Sequence, residues 1–96
     1  MIKLQFVWDN RKADSNLKKH GVSFQEAISV FTDDNAVEFF DETHSSAEER
    51  FLMLGISHKL RLLLVAFCYK EDVSTVRIIS ARKATKNECL HYPYRR

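Results

Sequence analysis

The chain has 96 residues, 45% hydrophobic and 29% charged, with a net charge of +2. Such a length encloses one core, so a single domain over residues 1–96 is expected, burying about 60–65% of the surface its unfolded chain exposes. Two glycines and one proline argue against a loop-rich fold, and the longest apolar run has eight residues, Leu62 to Tyr69. That run is far short of the ~20 residues that span a bilayer. No apolar h-region follows Met1-Ile2-Lys3-Leu4-Gln5, so the expectation is a cytoplasmic protein with no membrane partner. Cys68 and Cys89 lack the CxxC spacing of a redox or metal motif, and Cys68 reads as a small buried hydrophobe.

Charge is unevenly distributed. Residues 1–49 carry a net −5 and residues 50–96 a net +7. This asymmetry fits a basic face that attracts phosphate, or two halves that interleave and average out.

In chain order, residues 6–8 read as a first strand, with Asp9 as the N-cap of a helix ending at Gly21. Lys18, Lys19 and His20 in its last turn suit the negative end of the helix dipole. A capping box, Ser23-x-x-Glu26, opens a second helix whose Phe24, Ala27, Ile28 and Phe31 recur at helical spacing. Asp33-Asp34-Asn35 breaks it. Strands are predicted over residues 36–40, 50–56, 61–69 and 74–80, with a polar segment 41–49 and a hairpin-type connection at Lys70-Glu71-Asp72. Thr85-x-x-Glu88 is a second capping box and begins a short helix that Pro93 ends near Tyr92. The order β-α-α-β-β-β-β-α predicts an α+β fold, a small antiparallel sheet with helices packed mainly on one face.

Cations concentrate on the last strand and its exit, at Arg77, Arg82 and Lys83. Regular alternation sets Arg77 with Ile79 on one face and Ser80 with Arg82 on the other. Arg50 and Arg61 open the two preceding strands, so antiparallel pairing can bring several guanidinium groups near one another. Guanidinium is a planar fork of donors that fits phosphate and stays charged at any working pH. Against this, strand-end arginines also serve as solvated partners of Glu48, Glu49 or Glu71. Asp41-x-x-His44 with Glu48-Glu49 uses metal-ligand residue types, but in no standard catalytic spacing. Glu88 has a structural task in its capping box, and His91 and Tyr92 can donate a proton or merely cover the sheet.

Three stretches in register resemble the BrnT toxin family. These are Phe6-Val7-Trp8-Asp9 with residues 16–27 (NLKKHGVSFQEA), His44-Ser45 leading into Glu48-Glu49-Arg50-Phe51, and residues 77–85 (RIISARKAT) followed by Glu88. The resemblance runs from Phe6 to Tyr92 and implies a RelE-like fold. It also implies a metal-independent endoribonuclease with no cofactor, which inhibits translation by cutting RNA. The implied partner is a BrnA-like antitoxin whose ribbon-helix-helix segment binds operator DNA. Within the matching motifs Arg50, Arg77, Arg82 and Lys83 are candidates to hold the scissile phosphate, and His20 and Tyr92 to move protons; Arg61 and Lys19 are candidates for substrate binding. A rival expectation is a non-catalytic module, a corepressor whose arginines only position a DNA-binding partner.

Overall fold

The computed structural model describes residues 3–70 and 74–93, so most of the predicted connection at Lys70-Glu71-Asp72 lies outside the described residues. Strand β1 (Gln5–Val7) leads into helix α1 (Asn10–His20), and helix α2 (Phe24–Ser29) follows, continued by a 3₁₀ turn over Val30–Thr32. Then come β2 (Val37–Phe40), a 3₁₀ turn over Glu42–His44, β3 (Phe51–Ile56), β4 (Leu62–Tyr69), β5 (Thr75–Lys83) and α3 (Lys86–Cys89). The predicted α+β order holds among the described residues.

Local chemistry sets the helix ends. The Asp9 carboxylate accepts from the amides of Arg11 and Lys12, and Gly21 closes α1 at φ +69°, a left-handed conformation that costs glycine nothing. Ser23 Oγ accepts from the Glu26 amide to start α2. Glu26 does not complete a box there, because its carboxylate turns inward to Arg61 and Ser57.

The strands form one sheet in the order β1-β5-β4-β3-β2. The β2-β3-β4-β5 ladder is antiparallel, as expected, while β1 joins its far edge in parallel to β5, pairing Gln5 with Thr75 and Val7 with Arg77. A parallel neighbour follows because α1 and the rest of the chain separate the two strands. One face of the sheet carries Leu63, Val65, Phe67, Val76, Ile78 and Ala81 against Val22, Phe24, Ala27 and Val30, all essentially solvent-free. The opposite face presents Leu52, Leu54, Leu62 and Leu64, and among the described residues Tyr92 packs there, with Phe39, Ile56 and Ala84 alongside. Hence α1 and α2 cover one face and much of the other is open.

A β-bulge decides what that open face displays. Ala66 pairs with Ser80 but Phe67 pairs with Ile78, leaving Ile79 as an extra residue in β5. Residues directly opposite in a ladder share a face. Arg77 opposite Cys68, Ser80 opposite Ala66 and Arg82 opposite Leu64 therefore all stand on the open side. This overturns the expected alternation that separated Arg77 from Arg82. A bulge leaves no mark in the period-2 pattern that sequence reasoning uses.

Candidate active site

On this open face lies a cleft of about 290 Å³ lined by Asp41, His44, Arg50, Leu52, Leu64, Ala66, Ser80, Arg82 and Glu88. Its floor is the apolar sheet surface and its walls are polar. The segment between β2 and β3 builds one wall by closing on itself. The Asp41 amide donates to the Arg50 carbonyl over 2.9 Å. The Arg50 amide donates to Ser45 Oγ over 2.9 Å, and Ser45 Oγ donates to the Asp41 carbonyl over 2.5 Å. That closure holds His44 beside Asp41, with Nδ1 3.0 Å from the carboxylate. Asp41 is largely covered, at 13% side-chain exposure, while His44 is open at 63%: a fixed carboxylate under a reachable imidazole. The Arg50 guanidinium has no carboxylate partner among the described residues, so it is available to an incoming anion.

The other wall is Arg82, held by Glu88 in a two-pronged contact, Nη1 to Oε1 and Nη2 to Oε2, both 2.8 Å. Glu88 also accepts from the Thr85 amide at 2.9 Å, so the capping box of α3 and the grip on Arg82 share one carboxylate. The Arg82 guanidinium, more than any other group, lowers the Glu88 pKa to about 2. Glu88 is therefore a permanent anion that orients Arg82 and has little basicity for a proton transfer. Arg77 stands on the same face beyond the cleft lining, its Nε 3.4 Å from Cys68 Sγ and its guanidinium paired with Glu48.

Of the residues singled out by sequence, Arg50 and Arg82 meet in one cleft and Arg77 flanks it. The remainder lie elsewhere. Lys83 pairs opposite Leu63, which assigns it to the other face, so it does not join Arg82. Arg61 grips buried Glu26 and donates to the Gly21 carbonyl; its place is structural, because only a cation can neutralise a carboxylate buried there. Tyr92 is 4% exposed and its hydroxyl donates to Asp33 over 2.6 Å, so the expected proton donor instead anchors the chain end to the sheet. Lys19 and His20 line a separate groove along α1. The residue that sequence reasoning passed over is His44. Its signals are the Asp41-x-x-His44 spacing, which uses metal-ligand residue types, and its place at the start of the stretch His44-Ser45 that resembles the family. Glu48, the third ligand of that metal reading, turns instead to Arg77, and among the described residues no group of three His, Cys, Asp or Glu side chains is placed to hold a metal ion.

The sequence profile of a family described as the ribonuclease toxin BrnT of type II toxin–antitoxin systems matches residues 8–88. The 1.1 Å crystal structure of the Brucella abortus ribonuclease toxin BrnT superposes with a TM-score of 0.67 at 22% identity, covering 88% of this chain and 100% of that one. At that identity the likeness bears on the fold. No curated protein matches the chain.

Proposed function

Because the chain belongs to the BrnT family of type II toxin–antitoxin ribonuclease toxins, we propose that the open-face cleft cuts RNA without a metal, and thereby inhibits translation. The observation that carries this reading is the cleft itself, which gathers Arg50, Arg82 and the His44–Asp41 pair on the open face of the sheet.

The 2′-hydroxyl of RNA supplies a nucleophile beside each phosphate, so the protein need only position the linkage, move protons and offset charge. In this mechanism Arg50 and Arg82 bind the non-bridging phosphate oxygens, and their attraction grows as negative charge develops in the transition state. Arg82 arrives oriented by Glu88, so little side-chain entropy is lost when phosphate displaces water from its outer edge. His44 takes the proton from the 2′-hydroxyl through Nε2, with Asp41 fixing Nδ1 as the protonated nitrogen. The 2′ oxygen bonds to phosphorus, the bond from phosphorus to the 5′ oxygen breaks, and water or the same imidazolium returns a proton to the leaving oxygen.

The same geometry supports neutralisation by covering. An antitoxin of the BrnA-like kind, with a ribbon-helix-helix segment for operator DNA, would cover this face. Beside the reaction cleft runs an apolar one lined by Phe39, Leu52, Leu54, Leu64, His91 and the Arg82-paired Glu88. The two clefts offer an acidic, partly apolar segment both the cations of the first and the apolar area of the second.

Purified protein incubated with RNA, with and without EDTA, tests the reading. EDTA-resistant cleavage that disappears in the Arg50→Ala/Arg82→Ala variant is expected. Cleavage abolished by EDTA would favour a metal nuclease. No cleavage by the wild type would leave the corepressor module standing.

A further inference from the structure

The groove that holds Lys19 and His20 runs between α1 and the edge of β5. Strand β1 covers that edge only as far as Arg77, and beyond it the helix takes over. Buried Asn16 fastens the two. Its amide nitrogen donates to the carbonyls of Ala81 and Val22, both at 2.9 Å, and its oxygen accepts from the Ala81 amide at 3.1 Å. With the seam held in this way, Arg11, Lys12, Ser15 and Lys19 fall on one side of the helix, over the groove, as helical periodicity requires. Asp14, the one acidic residue within α1, is not among the groove's walls. Ser80 lines both this groove and the arginine cleft, so the two join at one residue of β5.

We propose that this groove binds the sugar–phosphate backbone of the RNA strand flanking the cleavage point, an assignment that rests on the ribonuclease reading above. A single strand leaving the arginine cleft past Ser80 enters a channel walled by cations with no carboxylate in its lining. From Arg11 to Lys19 the helix rises about 12 Å, enough to follow more than one nucleotide. Lysine and arginine on a helix face contact phosphates without reading bases, so the groove adds affinity and register and leaves sequence choice to the cleft. His20 and Lys19 belong to this strand-holding surface and take no part in proton transfer.

The test compares a dinucleotide with an RNA of about twelve nucleotides, cleaved by the wild type and by Arg11→Ala/Lys12→Ala/Lys19→Ala, with Lys18→Ala as a control that removes one charge off the groove. The replaced side chains are exposed, so the fold is retained, which thermal melting monitors. The wild type is expected to show a KM for the longer RNA about tenfold below that for the dinucleotide, and the triple variant to erase that ratio. The slope of log binding constant against log salt for the longer RNA falls by about two, at ~0.7 per phosphate contact. Lys18→Ala keeps the ratio. A triple variant with the wild-type ratio and slope overturns the assignment. So does one that loses only antitoxin affinity, since the groove would then be a protein-docking surface. A wild type that cleaves neither RNA defeats the ribonuclease reading itself.

Discussion

Glu88 grips Arg82 with both carboxylate oxygens and caps α3 with one of them, Oε1, and His44 owes its position to Asp41. Arg82 and His44 thus each have an anionic holder, which trades a little charge for orientation, while Arg50 has none among the described residues. If His44 is the proton acceptor, His44→Ala lowers kcat by about 10²–10⁴-fold, the usual contribution of a positioned base. Asp41→Asn falls short of that loss, because the imidazole survives and only its tautomer is released. A single-turnover cleavage assay measures both, and undiminished rates in His44→Ala would remove it from the mechanism. Gly55 marks a different kind of constraint. A Cβ there would meet Val30 Cγ1 at 2.8 Å and the Ala36 methyl at 2.9 Å, so Gly55→Ala overpacks the join between β3 and the 3₁₀ turn. The expected loss is about 1–3 kcal/mol in chemical denaturation. The reason for a glycine here, neighbours distant in the chain, is tertiary.

At the level of elements, helices were the more legible. Asp9, Gly21, Ser23, Thr85 and Glu88 announced helix ends because capping chemistry is local: a side chain meets an amide two or three residues on. The last strand was harder. It extends to Lys83, three residues past the predicted end, and contains the bulge that re-aims its arginines. What fixes α1 against β5 is likewise not a local signal. Asn16 stands for a missing strand, offering one amide's worth of donor and acceptor to Ala81. Asn16→Ala takes this partner from the Ala81 amide and carbonyl and from the Val22 carbonyl in a buried seam, which costs about 2–3 kcal/mol. Urea unfolding is expected to show a lowered midpoint with an unchanged slope, and hydrogen exchange at Ala81 is expected to accelerate. Stability within error of the wild type would mean that water replaces the amide freely.

Across the molecule, three carboxyls among the described residues sit below their ordinary range. For Glu26 the cause is chiefly the hydrogen bond from Arg61, then the Ser57 hydroxyl, working against burial; for Glu88 it is chiefly Arg82. For Asp33 burial pushes upward, but the Ile56 amide, the Tyr92 hydroxyl and the Asn35 amide outweigh it. A carboxyl depressed on folding stabilises the fold above its unfolded pKa and loses that contribution as pH falls through the folded value. Stability should therefore be flat above about pH 5 and fall steadily below it, as melting temperature against pH would reveal. Glu26→Gln leaves Arg61 without its anion. The expected cost is about 2–3 kcal/mol, under the range for a fully dry pair, because Arg61 keeps 26% of its side chain in water. No helix among the described residues is long and apolar enough to cross a membrane. What sequence determined unaided was whatever depends on near neighbours or on ordered motifs: helix caps, the buried run of β4, the α+β order and the family resemblance. Only tertiary structure decided which arginines share a face, because one extra residue at Ile79 inverts the alternation. It likewise decided that Arg61 and Tyr92 are anchors, because their partners, Glu26 and Asp33, lie 35 and 59 residues away. Contacts that span such distances are set by how the sheet and helices pack, and no short window of sequence contains them.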